Sequence, residues 1–242
     1  MTPGETVHES PAPATDASVQ DAGSSRFARW VLQGLLVLLL VVLVRGLVVQ
    51  SFYVPSESME PTVLPADRVL VDKLHGSGGL RRGDVVVFDG TVAWGGESTA
   101  THESGGIVGS VLQPVRKALG INLGEKDYLK RIVGMPGDRV VCCTAAGRLS
   151  VNGTEVTEPY LPAGAPASEV TFDVTVPPGR LWLLGDNRPV SADARAHLGD
   201  PGGGLVPLDD VIGRVTLRYW PLSRWGTIDR STPLSDVRSG GR

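Results

Sequence analysis

Ser56 and Ser58 stand one residue apart in the stretch Pro55-Ser56-Glu57-Ser58-Met59-Glu60-Pro61-Thr62-Val63-Leu64. Proline fixes φ and keeps its predecessor extended, so prolines at both ends make this short, stiff backbone rather than helix. A serine held that way could attack a carbonyl carbon, but its hydroxyl is a weak nucleophile until a base takes the proton. The same residues also fit a plain Pro/Ser loop, and only a base elsewhere in the chain separates the two readings. A histidine base would have to be structured and oriented. His8 lies in a polar tail, His75 in a Gly/Ser loop and His102 in a Gly/Ser/Thr-rich stretch. His197, between Asp193 and Asp200, is the best placed, yet each of the four reads better as a surface histidine.

Lys130 is the other candidate. It falls in the β-like run Asp127-Tyr-Leu-Lys-Arg-Ile-Val133, on the face of Tyr128 and Ile132. A lysine directed among apolar groups loses hydration, which favours the neutral amine, and a neutral amine is a competent general base. Arg131 would point to the opposite face and stay charged. Spacing alone favours a snorkelling surface lysine. Composition leans the other way: only four of the 23 basic residues are lysines, so one placed here meets a need that arginine does not. A third polar stretch, Gly185-Asp-Asn-Arg-Pro-Val-Ser-Ala-Asp-Ala-Arg195, offers Ser191 to orient an amine. Asp193 and Arg195 there could pair with each other or with Arg131, although an ordinary loop tied by ion pairs is the simpler reading.

These residues need elements to hold them. A chain of 242 residues can form one good-sized domain with extras, and its net charge of −3 excludes nucleic acid as the main partner. Its two cysteines are adjacent, which gives neither a disulfide framework nor metal-ligand spacing. Residues 1–25 are Ser/Ala/Pro-rich and acidic with little apolar surface to bury, and read as a disordered tail. From Phe27 to Val49 the chain turns apolar, with Gln33 and Arg45 its only strongly polar members beyond Arg29 at the near end. As a helix that run is roughly 34 Å long, enough to span a bilayer. Arg26 and Arg29 flank the near end, which favours a cytoplasmic N-terminus, and no small-x-small site follows that would suit a cleaved leader.

Beyond the span come short apolar runs separated by Gly/Pro turns: 68–71, 85–88, 127–133, 139–142, 149–151, 154–156, 170–176, 180–184 and 211–219. Asn152-Gly153 between two of them is a strong hairpin signal. Regularly spaced strands predict a mainly β domain over 50–228, a barrel or packed sheets. An insertion at about 89–124 interrupts it. Within that insertion the apolar positions of 107–119 share a helical face despite Pro114, which suits a cap on the domain or a membrane-surface contact. The end, 229–242, reads as a frayed tail. Cys142 and Cys143 would alternate across a strand, so a bond between them is disfavoured and at least one buried thiol is expected.

Taken together, PSESMEPT, RRGDVVVF, DYLKRIVGMPGD and GDNRPVSADAR resemble, in order and spacing, the motifs of bacterial type I signal peptidases, which remove leader peptides from exported proteins. The resemblance runs from Phe27 to about Trp220, the insertion excepted. It implies a signal-peptidase-like all-β catalytic domain behind one N-terminal transmembrane helix, and a Ser-Lys dyad with no metal or organic cofactor. Ser58 then matches the nucleophile and Lys130 the general base. Ser56 matches the hydroxyl that joins the Ser58 N–H in the oxyanion hole, and Ser191 the serine that orients the lysine. Asp186, Asp193, Arg195 and Arg131 match supporting positions. Phe52, Val54, Pro55, Tyr128 and Leu129 match the walls of shallow pockets for small side chains. The implied partners are preprotein signal peptides and membrane lipid, with the secretion translocon nearby and the catalytic domain outside the plasma membrane. Pro189, Val190 and Ala194 depart from the polar residues usual in the last motif, which leaves its supporting hydrogen bonds open. A self-cleaving repressor-type protease shares the dyad but would carry a DNA-binding domain in place of the span. An inert, membrane-anchored binding domain would share the composition but need not keep Ser58 and Lys130.

Overall fold

The continuous apolar run Val85–Asp89 becomes a strand buried on both faces: Val86 and Phe88 belong to one core cluster, Val85 and Val87 to another. An unbroken run of Val and Phe is what a strand with no solvent face requires. The structure is a computed structural model that describes residues 21–74, 77–91, 93–95 and 127–238. The tail at 1–20, the helix expected over 107–119, and His75 and His102 lie outside the described residues.

Two units are distinguished, one ending at Val41 and one beginning at Val42. The first is helical and belongs to a helix that runs from Asp21 to Leu47. Its side chains from Arg26 to Val41 are exposed on every side, Leu35 to Leu40 among them. Among the described residues no helix is long and apolar enough to cross a membrane.

The second unit is mainly β. Its strands are β1 (Val49–Tyr53), β2 (Arg68–Asp72), β3 (Val85–Asp89), β4 (Asp127–Gly134), β5 (Arg139–Cys142) and β6 (Leu149–Val151). They continue with β7 (Thr154–Glu155), β8 (Phe172–Thr175), β9 (Arg180–Leu184), β10 (Val206–Pro207), β11 (Val211–Trp220) and β12 (Gly226–Thr227). One sheet runs β1-β2-β11-β3-β4-β9-β10 with β12 against β11; a smaller one runs β7-β6-β5-β8. The hairpin expected at Asn152-Gly153 joins β6 and β7, and both turn residues take positive φ, 53° and 78°, as a two-residue turn matched to strand twist demands. The larger core cluster unites both sheets, with Trp182, Leu181 and Leu183 of β9 beside Val140, Leu149 and Phe172 of the small sheet. The expected strand at 170–176 is shorter, Phe172–Thr175.

Two expectations fail. Over the described residues 229–238 the expected tail is not frayed: Arg230 pairs with Asp84 at 2.7 Å, and the one-turn helix Thr232–Ser235 places Leu234 and, just beyond it, Val237 in the core. Two apolar residues in a polar tail are too few for periodicity to register, so the docking is a tertiary fact. Nor is there a free thiol: Cys142 and Cys143 are joined by a disulfide. The strand ends at Cys142, so the alternation that would set the two side chains on opposite faces stops there.

Candidate active site

The stretch that carries Ser58 is pinned at both ends. Val54 donates to the Asp67 carbonyl at 2.9 Å, and Ala66 donates back to Val54 at 2.8 Å. Between them Met59 and Val63, joined by a 3.0 Å backbone bond across one turn, send their side chains into the smaller core cluster. Ser58, between the exposed Glu57 and the buried Met59, is thus left half-exposed. This is how the prolines and apolar residues of the motif present a hydroxyl.

Lys130 arrives from β4. It lies opposite Val86 of β3, while Arg131 lies opposite Val85, so the two basic side chains leave on opposite faces as expected. The Lys130 ammonium is buried, and its Nζ donates to Ser58 Oγ at 2.7 Å. Burial pulls its pKa down to about 8 from 10.5, against the attraction of Asp193 and Asp186, and Arg195 adds a little to the fall. Desolvation outweighs the two carboxylates because each already has an arginine of its own. Ser56 Oγ lies 3.2 Å from Ser58 Oγ, on the solvent side.

Those arginines organise what surrounds the lysine. Arg131 grips Asp186 with two bonds, Nε to Oδ1 at 2.8 Å and Nη2 to Oδ2 at 2.6 Å, both side chains being buried. Thr62 donates to Asp186 Oδ2 at 2.5 Å, and Arg131 Nη1 donates to the Gly83 carbonyl at 2.7 Å. One carboxylate therefore ties the Ser58 stretch, the Lys130 strand and the 185–195 loop together. Asp193 pairs with Arg195, not with Arg131, at 2.7 and 2.8 Å, and also accepts from the Gly185 N–H at 2.9 Å.

Ser191 does not do what was expected of it. Its Oγ is buried with no hydrogen-bond partner among the described residues, and Lys130 Nζ is not bonded to it. Instead Ser191 is packed over Gly185: a Cβ there would lie 2.1 Å from Ser191 Oγ and 2.5 Å from the Ser58 carbonyl oxygen. Only glycine lets the loop close this tightly on Ser58. His197 is engaged elsewhere, 2.7 Å from Asp200 and stacked on Trp94 at 5.0 Å.

A cavity of about 200 Å³ opens beside the two residues, lined by Ser56, Ser58 and Lys130. All five expected wall residues, Phe52, Val54, Pro55, Tyr128 and Leu129, line it too. Sequence reading missed Tyr53, Met59, Val87 and Asp127 in its wall. It also missed the group behind Arg131, where the Tyr160 ring lies 4.1 Å from the guanidinium carbon and Glu158 bonds to both Tyr160 and Arg188. Arg188 stood in a quoted motif; Glu158 and Tyr160 sit in a polar loop with no local signal. Among the described residues no cluster of three or more His, Cys, Asp or Glu is placed to hold a metal ion.

Comparison with known proteins gives a consistent picture. A family model described as "Signal peptidase, peptidase S26" matches residues 27–220. The chain is 39% identical over 209 residues to a Signal peptidase I of Mycobacterium tuberculosis, covering 77% of this chain and 70% of that one. It is 35% identical over 208 residues to a Probable signal peptidase I of Mycobacterium leprae, covering 75% of this chain and 72% of the other. A crystal structure of a signal peptidase I from Enterococcus faecalis overlaps at a TM-score of 0.37 and 22% identity, over 57% of this chain and 97% of that one, a likeness too slight to build on.

Proposed function

Because the chain belongs to the signal peptidase family, peptidase S26, we propose that it is a membrane-anchored serine endopeptidase that removes signal peptides with a Ser58–Lys130 dyad. The observation that carries this reading is the 2.7 Å contact between Lys130 Nζ and Ser58 Oγ. While protonated, the amine can only donate to Ser58. Once neutral, its lone pair accepts the Ser58 proton as Oγ attacks the scissile carbonyl carbon. The carbonyl oxygen takes up the displaced electron pair, facing the Ser58 N–H and the Ser56 hydroxyl as donors. Lys130 then protonates the leaving amine, and a water attacking the acyl-serine repeats the cycle. Asp186, Arg131, Asp193 and Arg195 fix the geometry, and Ser191 shapes the loop by packing against Gly185.

The substrate side follows from the sheet. β9 pairs with β4 from Arg131 onward, so among the described residues no strand pairs with Tyr128 or Leu129 on the side away from β3. An extended peptide can add there, with alternate side chains entering the cavity. Phe52, Val54, Pro55, Tyr128 and Leu129 leave room for small side chains, which suits a small-x-small site. Purified protein incubated with a precursor carrying Ala at −3 and −1 should cut after the −1 residue, located by mass spectrometry. A cut elsewhere, or cutting that persists when −1 is made bulky, overturns the assignment of the cavity.

The anchor and orientation belong to the same proposal. The exposed Leu35 to Leu40 must be covered by something, and lipid fits them and the apolar run that continues to the helix end at Leu47; Val49, expected in the span, instead begins β1 opposite Asp72. The N-terminus then lies in the cytoplasm and the β domain outside the plasma membrane, where preproteins emerge beside the translocon. Protease added to intact cells should spare the N-terminal tail. Digestion of the tail with the β domain protected reverses the topology.

A further inference from the structure

An oxyanion hole works only if its donors are aimed before charge develops. The donor assigned above is the Ser58 N–H, which shares one planar peptide unit with the Glu57 carbonyl. Asn187 Nδ2 donates to that Glu57 carbonyl at 3.2 Å, and the Asn187 backbone N–H donates to the Ser58 carbonyl at 3.1 Å. Facing a carbonyl, the side-chain amide must present its NH2 group, so the direction of the bond is set by chemistry. Both peptide units flanking the Ser58 Cα are therefore held by one residue. In a trans peptide the N–H points opposite to the C=O, so a donor on the Glu57 oxygen turns the Ser58 N–H away from the 185–195 loop. Among the described residues that N–H donates to no other group.

Asn187 is itself anchored. Its carbonyl accepts from the Val190 N–H at 3.2 Å and the Ser191 N–H at 2.9 Å, and its chain neighbour Asp186 is locked by Arg131 and Thr62. From this arrangement we infer that Asn187 is a positioning residue for the oxyanion hole, clamping the Glu57–Ser58 peptide so that its N–H meets the tetrahedral intermediate. The inference rests on the Ser–Lys reading. Hydrogen bonding to the Glu57 oxygen also polarises the peptide and strengthens the N–H as a donor. The clamp is made to the Ser58 backbone and leaves the Lys130 amine to its own contacts, so it acts on the transition state without altering how the nucleophile is deprotonated.

The test uses the full chain in detergent micelles and a precursor with Ala at −3 and −1. Asn187→Asp keeps the shape but replaces the donating NH2 by an oxygen that repels the Glu57 carbonyl; Asn187→Ala removes the contact. Each should lower kcat about 10- to 100-fold, somewhat less than loss of an oxyanion donor outright. KM should stay within about twofold, because the interaction matters only once the oxyanion forms. The midpoint of the pH profile should not move in Asn187→Ala, which adds no charge near Lys130. The inference is overturned if both variants keep kcat within about threefold, if the loss falls in KM, or if the pH midpoint of Asn187→Ala shifts. It is overturned likewise, in favour of a purely structural role, if neither variant folds. Ser58→Ala separates the two levels: if that variant still cuts, the dyad is wrong, whereas an inert Ser58→Ala beside unaffected Asn187 variants removes only the clamp.

Discussion

Lys130→Arg should lose precursor cleavage as fully as Lys130→Ala, by at least about 1,000-fold in kcat, while both proteins remain folded. Arginine keeps the length and the charge and can still donate to Ser58, but it is not deprotonated in proteins and so cannot receive the proton. The comparison therefore separates a base from an electrostatic contact. In the unmodified protein the same argument fixes the pH dependence. Burial brings the amine to about 8, a bias of about 3 kcal/mol toward the neutral form relative to an exposed lysine. Below that value the protonated amine predominates, so kcat/KM should rise about tenfold per pH unit and level off above it. Bound substrate expels water and shifts the balance further in the same direction. Substantial turnover by Lys130→Arg, or a rate that falls as pH rises from 6 to 8, would remove Lys130 as the base.

Breaking the Arg131–Asp186 pair should be the most destabilising single change in this part of the molecule. Arg131→Met leaves a fully buried carboxylate with only the Thr62 hydroxyl as partner, and stranding a buried charge typically costs about 3–5 kcal/mol. That is a large share of the roughly 5–15 kcal/mol that holds an ordinary domain together. Asp186→Leu strands the guanidinium instead, which keeps only the Gly83 carbonyl, a 3.3 Å contact to the Thr62 hydroxyl and the Tyr160 ring. The double variant Arg131→Met/Asp186→Leu leaves no charge stranded and should be less destabilised than either single change. Urea denaturation of the four proteins closes the cycle. A single variant that loses less than about 1 kcal/mol would mean that the pair is solvated and does not bind the three segments.

Much of the domain was legible along the chain because its signals are local. Val85–Val87 announces a doubly buried strand by being continuous, and Asn152-Gly153 announces a hairpin by tolerating positive φ. The prolines around Ser58 stiffen one short stretch, and the walls of the cavity come from residues adjacent to the two central motifs. Each of these follows from backbone sterics or periodicity within a window of about ten residues.

What the chain could not disclose is which partner each polar group takes. Two arginines and two aspartates allowed several pairings; strand register put Arg131 on Asp186 and left Asp193 to Arg195. Ser191 was expected at the lysine and is packed against Gly185, because that loop closes on the Ser58 carbonyl rather than on the amine. Leu234 and Val237 carry no periodicity, and their burial depends on a groove made by distant segments. Glu158 and Tyr160 are drawn in from a polar loop by Arg188 and Arg131. The sequence by itself determined the kinds of groups present, a stiffly held serine and a lysine in an apolar strand. Only the tertiary structure decided that residues 72 positions apart in the chain stand at 2.7 Å, because side-chain chemistry is encoded locally while distance is set by how the sheet closes.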